Sequence, residues 1–283
     1  MMRVFIAVDM EGATGVVHPE QLMPDGRGYA AAQKLLTADV NAVIDGVLSV
    51  DPHAEIVVGD GHGTMRNILL DQLNPAAKLV IGSAKPSNKP LCQLEGIQFG
   101  ADVALCVGYH SMAGTASGLL AHTYIGSLIR ELRLNGRPAG EVEVNAAVLA
   151  SFHIPLCFVS GNSDVQQEIR AWNDSSVFVS TKQTLGPTAA ICLTPSVSQE
   201  HLRQGAATAL ADRSTWHMSS RGETRIEVSA YRREQCERAS AIAGVERVDD
   251  VTFAAVADNA ADAFRIMWIA CVAALDESAA WLS

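Results

Sequence analysis

Val4-Phe5-Ile6-Ala7-Val8-Asp9-Met10-Glu11-Gly12, near the start of the chain, is an apolar run that ends on two acids one residue apart. The run has the length of a strand, and continuous apolar residues without alternation suit a strand buried on both faces of a parallel sheet. Comparable short runs recur at residues 55–59, 78–82, 103–109 and 156–160, each bounded by turn formers or a change of pattern. Helical patterns lie between them. The clearest spans 29–49, where Leu35, Leu36, Val40, Val43, Ile44 and Val47 repeat at a helical period. Strands alternating with helices predict βαβ units and an α/β fold, a mostly parallel sheet with helices on both faces.

The texture changes after Gly186-Pro187: a helical stretch at 197–211, an alternating strand at 224–229, a further helix, a strand at 250–256 and a closing helix at 259–275. This reads as a smaller α+β second domain, dividing the chain into residues 1–190 and 191–283. The proline-bearing stretch 85–90 reads as a surface loop inside the first part.

The 283 residues are 48% hydrophobic, enough for a substantial core. Twenty-one basic residues against 31 acids leave a net charge of -10, which repels nucleic acid and anionic membrane surfaces. Asp9 interrupts the first apolar run before a secretory core is complete, so no signal peptide is expected. The apolar stretch 267–275 is far shorter than the ~20 residues that cross a bilayer. The six cysteines, Cys92, Cys106, Cys157, Cys192, Cys236 and Cys271, form no C-x-x-C pair and read as small buried thiols without function. The expectation is a cytoplasmic protein with neither nucleic acid nor membrane as partner.

Four polar clusters sit at the carboxyl end of an expected strand or the start of a helix, where open parallel sheets place their ligand sites. Asp9 and Glu11 project to one side if strand geometry continues past Val8, and two carboxylates brought together invite a divalent cation. An ordinary acidic turn is the alternative reading. In Gly59-Asp60-Gly61-His62-Gly63, His62 is a ligand candidate or a solvated loop residue, and Asp60 could orient its ring. His110 closes the strand at 103–109 on a rigid scaffold, whereas His122 follows a glycine-rich loop, as a proton-transfer residue tolerates. Glu141 falls in the first turn of a helix, where the helix dipole alone would favour a carboxylate; Glu143 ranks below it. The histidines at 18, 53, 153, 201 and 217 lack such surroundings. No G-x-G-x-x-G, P-loop or G-x-S-x-G motif is present.

The order Val8-Asp9-Met10-Glu11-Gly12, Asp60-Gly61-His62, Gly108-Tyr109-His110, His122 and Arg137-Pro138-Ala139-Gly140-Glu141 resembles the D-aminopeptidase family encoded with dipeptide-transport genes. The resemblance runs nearly the full length, with one residue more than the family pattern between Met112 and Leu120. It implies a metallo-aminopeptidase that cuts short peptides with an N-terminal D-amino acid through a water activated by two Zn2+ ions. It further implies Asp9, Glu11, His62, His110 and Glu141 as metal ligands, a bridging carboxylate from the Asp9 pair, and His122 as the catalytic residue. By the same resemblance the protein is a homodecamer of two stacked pentamers that admits only small peptides. Two rivals remain: a di-metal amidohydrolase acting on a small amide, and a non-catalytic peptide-binding component of a transport system. Histidine and carboxylate ligands without cysteine favour an open catalytic site over a structural one.

Overall fold

A computed structural model describes residues 1–172 and 174–275. Strand β1 (Arg3–Val8) leads to helix α1 (Tyr29–Val50), then β2 (Glu55–Asp60), β3 (Ala77–Val80) and β4 (Val103–Tyr109). A hairpin of β5 (Ile129–Leu134) and β6 (Arg137–Pro138) precedes α2 (Glu141–Ser151), β7 (Leu156–Asn162), α3 (Val165–Ala171), β8 (Val177–Gly186) and β9 (Ala189–Cys192). The rest comprises α4 (Pro195–Ala211), β10 (Thr224–Ala230), α5 (Arg233–Ser240), β11 (Val245–Arg247), β12 (Thr252–Ala257) and α6 (Ala260–Ala274). No helix among the described residues is long and apolar enough to cross a membrane.

The larger sheet has the order β3-β2-β1-β4-β7-β8-β9, parallel from β3 to β8, with β9 returning antiparallel at the edge. Strand alternation explains why its central strands are apolar throughout. Val4, Ile6 and Val8 of β1 and Val103, Leu105 and Val107 of β4 face α1 and α4, meeting Leu36, Val40, Ile44, Leu202 and Ala206. Phe5 and Ala7 of β1 and Ala104 and Cys106 of β4 face the other way, into a core with α2, α6 and a second sheet. Both faces are therefore covered, as the sequence reading expects for an α/β fold.

The second sheet is antiparallel, in the order β11-β12-β10-β5-β6. It combines β5 and β6 from the middle of the chain with three strands from the carboxyl-terminal part, and α6 packs beneath it through Phe264, Met267 and Trp268. Helix α4 packs instead on α1, against the first sheet. The stretch 85–90 is the surface loop it reads as, with Lys85, Ser87 and Asn88 exposed, but departs from that at Lys89, which is buried and whose Nζ donates to the Asp60 carbonyl at 2.8 Å. Cys192 likewise departs from the buried-thiol reading: it is exposed, while the other five cysteines are buried.

The chain leaves β1 for β2 and β3 on one side and then crosses to β4 on the other. This makes the carboxyl end of β1 a topological switch point, where loops diverge and leave a crevice. Those loops are pinned by backbone hydrogen bonds: Asp9 N donates to Val107 O (2.9 Å), Gly61 N to Val8 O (2.9 Å) and Gly12 N to Gly108 O (2.7 Å). Gly12 and Gly161 both press on the Tyr109 carbonyl, and a Cβ at either would lie 1.9 Å from that oxygen. Gly161→Ala is therefore expected to destabilise the fold by about 1–3 kcal/mol, the cost of overpacking a filled interior. Urea unfolding at constant m-value measures this; an unchanged midpoint would contradict the packing described.

Candidate metal centre

Three strand ends and one helix start deliver the candidate residues to one point. Asp9 follows β1, His62 follows β2, His110 follows β4, and Glu141 is the first residue of α2. His122 comes from the loop between β4 and β5. Asp9 and Glu11 already lie in a loop rather than on a continuing strand, but their carboxylates converge as the sequence pattern suggests. Asp9, Glu11, His110 and Glu141 are all buried.

Each of the three imidazoles spends one nitrogen on a backbone carbonyl. His62 Nε2 donates to Leu22 O (3.0 Å), His110 Nδ1 to Ser111 O (2.9 Å) and His122 Nδ1 to Leu120 O (2.9 Å). Such bonds set tautomer and ring orientation, as imidazoles that ligate metals require. The other nitrogens face carboxylates. His62 Nδ1 lies 3.0 Å from Glu11 Oε2 and 3.5 Å from Asp9 Oδ1. His110 Nε2 lies 3.2 Å from Asp9 Oδ2 and 3.4 Å from Glu141 Oε1, and His122 Nε2 lies 3.7 Å from Glu11 Oε1. The rings of His110 and His122 stack with centroids 4.1 Å apart.

With neutral imidazoles, this arrangement aims lone pairs at lone pairs. Asp9 Oδ2, Glu11 Oε2 and His110 Nε2 are buried without a hydrogen-bond partner. Buried polar atoms without partners are costly, so a centre that concentrates them is built for a species not made of protein. The electrostatics agree. Burial alone would lower the His62 and His110 pKa values, but Glu11 and Asp9 around His62, and Asp9 and Glu141 beside His110, hold them well above the ordinary imidazole range. Burial would raise Glu11, yet His62 pulls it well below the usual carboxylate range. A field that draws protons this strongly also draws a dication.

The donor set fits zinc: carboxylate oxygens and imidazole nitrogens only, without thiolate. A tetrahedron with ligands about 2.0–2.1 Å from its centre has edges of about 3.3–3.4 Å. The ligand-atom separations of 3.0–3.5 Å among Asp9, Glu11, His62, His110 and Glu141 are of that size. Two groupings stand out, Asp9 with Glu11 and His62, and Asp9 with His110 and Glu141; a third joins Glu11, His110 and His122.

Asp60 does not orient His62. Its carboxylate instead accepts from Asn67 N and Nδ2 and from Ile68 N, closing the loop that carries His62, while Asn67 Nδ2 also donates to the His62 carbonyl. Glu143 is not among the convergent acids: it accepts from Gly140 N at 2.8 Å as a helix cap, and burial and nearby Glu168 push it up to about 7.

Two contributors are not among the site residues expected from the sequence. Lys182 is buried, and its ammonium donates to the Glu11 and Ala13 carbonyls at 2.7 and 2.5 Å, holding the turn that presents Glu11. Gln93, on the short turn Cys92–Leu94, donates through Nε2 to Glu141 Oε2 and accepts from Tyr109 Oη (2.9 Å) and Asn145 Nδ2 (2.7 Å). Tyr124 N donates to the other Glu141 oxygen at 2.7 Å. Glu141 is thus gripped on both oxygens, with one still facing His110. Gln93→Leu removes this grip and is expected to weaken binding of a divalent cation by about 10–100-fold, measured by competition with a chelator. Unchanged affinity would show that Gln93 serves packing alone.

Comparison with known proteins gives a concordant picture. The family model described as D-aminopeptidase matches residues 2–269. The D-aminopeptidase of Bacillus subtilis (strain 168) is 29% identical over 214 residues, 75% of this chain and 75% of that protein. Among solved structures, the Zn-dependent D-aminopeptidase DppA from Bacillus subtilis, a self-compartmentalizing protease, superimposes with a TM-score of 0.89 at 26% identity, covering 98% of this chain and 99% of that one. The resemblance read from the spaced acids and histidines is borne out, and with a match that spans the whole metal centre and both sheets, the chain belongs to the D-aminopeptidase family.

Proposed function

We propose that this protein is a zinc-dependent aminopeptidase that hydrolyses short peptides with an N-terminal D-amino acid, using two Zn2+ ions held by Asp9, Glu11, His62, His110 and Glu141. The observation that carries the reading is the posture of Asp9: Oδ1 faces His62, 3.5 Å away, and Oδ2 faces His110, 3.2 Å away. One carboxylate so placed belongs to both ligand groupings, as a bridge between two cations does.

When bound there, zinc supplies Lewis acidity and makes water nucleophilic near neutral pH. The chain's own residues do the remaining work. His122 is the proton-transfer residue: its ring is fixed by the Leu120 carbonyl and by stacking on His110, and its side chain is 25% exposed, the most open of the three imidazoles. From that position Nε2 delivers a proton to the departing amine or hydrogen-bonds the developing oxyanion. The preference for the D configuration is taken from the family. The self-compartmentalizing character of the neighbour supports an oligomer for this chain as well, in which a homodecamer screens out large substrates. The free state of all six cysteines supports a reducing, cytoplasmic setting.

Protein purified without chelator is expected to cleave D-Ala-D-Ala in preference to L-Ala-L-Ala, to lose activity on metal removal and to regain it with zinc. Cleavage that survives metal removal would contradict the reading. His122→Ala is expected to lower kcat by about 10²–10⁴-fold while zinc per chain stays unchanged. Loss of zinc from this variant would make His122 a ligand instead.

A further inference from the structure

Beside the metal centre lies a cavity of about 330 Å³, at the small end of the range for ligand sites. One end is the acidic cluster. An apolar wall is formed by Met65, Ala84, Cys92, Ile125 and Trp268, all nearly fully buried and part of the main core. This wall starts next to the groups that hold Glu141, because Cys92 adjoins Gln93 and Ile125 adjoins Tyr124. The lining contains no lysine or arginine among the described residues, and its only acids are those of the cluster.

The polar side chains of the lining are mostly committed elsewhere. Asn67 serves Asp60 and accepts from Tyr29 Oη, Gln93 serves Glu141, Tyr109 and Asn145, Tyr124 Oη reaches Asn145, and Trp268 Nε1 donates to the Ala84 carbonyl. A charged group entering this end would lose its water and find no counter-ion, a cost of several kcal/mol that binding would have to offset. An apolar group loses nothing of the kind and gains contact with a preformed wall.

The geometry points to this wall as the acceptor for the side chain of the substrate's amino-terminal residue, selecting an uncharged, apolar side chain such as leucine over lysine or glutamate. The inference rests on the aminopeptidase reading for its register. The Cα of the amino-terminal residue is bonded directly to the scissile carbonyl carbon, so with that carbonyl at the metal centre this residue's side chain starts beside Cys92 and Ile125.

The test pairs turnover with binding on the zinc-loaded protein. kcat/KM is measured for the amides of D-leucine, D-alanine, D-lysine and D-glutamate, which carry a single side chain and no terminal carboxylate. Calorimetric titration with the hydroxamates of the same amino acids reads the side-chain preference without turnover. Leucine is expected to exceed lysine and glutamate by at least about tenfold in both, the scale of pocket discrimination. Ala84→Leu, which narrows the cavity, is expected to shrink the leucine-to-alanine ratio at least about fivefold. Hydroxamate selectivity without cleavage of any amide would support the acceptor wall while overturning the aminopeptidase reading. Charged and apolar side chains bound alike, or no hydroxamate bound at all, would overturn the acceptor wall.

Discussion

Three buried carboxylates, Asp9, Glu11 and Glu141, meet with no ion partner other than imidazole among the described residues, and much of the architecture serves to keep them there. Left to themselves such groups would repel, protonate or open to water. Here Lys182 pins the Glu11 turn through its backbone, Gln93 and Tyr124 grip Glu141, and three backbone carbonyls fix the imidazoles. None of these contacts neutralises the cluster. They immobilise it, which is the condition for binding a cation without reorganisation.

The topology explains why this is possible at the end of β1. The strands on either side of β1 are reached by opposite turns of the chain, so Asp9, His62 and His110 arrive on three separate loops around one crevice. Glu141 arrives by a longer route, through the β5–β6 hairpin, which joins the second sheet before α2 turns back. The second sheet and α6 are therefore more than an appendage. Trp268 of α6 lines the cavity, and Tyr124, which holds Glu141, packs edge-on against Phe264 of the same helix. The candidate metal site and the cavity wall share one scaffold.

Much of this was legible in the sequence for identifiable reasons. The central strands announce themselves because burial on both faces demands unbroken apolar runs, and the candidate ligands because acids and histidines gather just after such runs, where parallel sheets place their sites. The partnership of β5 with β10 was not legible, since pairing between residues as distant as Leu134 and Ile226 leaves no local mark. The β8–β9 hairpin was missed because its half-buried edge carries mixed residues, including the buried Lys182. Asp60 looked like a partner of His62 because the two are adjacent in a glycine loop, but its carboxylate points to Asn67 and Ile68. Gln93 sits on a turn where Cys92 adopts a left-handed φ of 52°, a conformation that no propensity argument would assign. The roles that depend on side-chain direction, rather than on position along a strand, are the ones that only the fold reveals.

The most direct measurement is anomalous scattering at the zinc edge from crystals of the zinc-loaded protein. Two peaks are expected about 3.5–4 Å apart, the spacing of two-metal sites, one beside Asp9, Glu11 and His62 and the other beside Asp9, His110 and Glu141. A single peak, or peaks that Asp9 does not touch, would contradict the claim that one carboxylate at the end of the central strand organises the whole site.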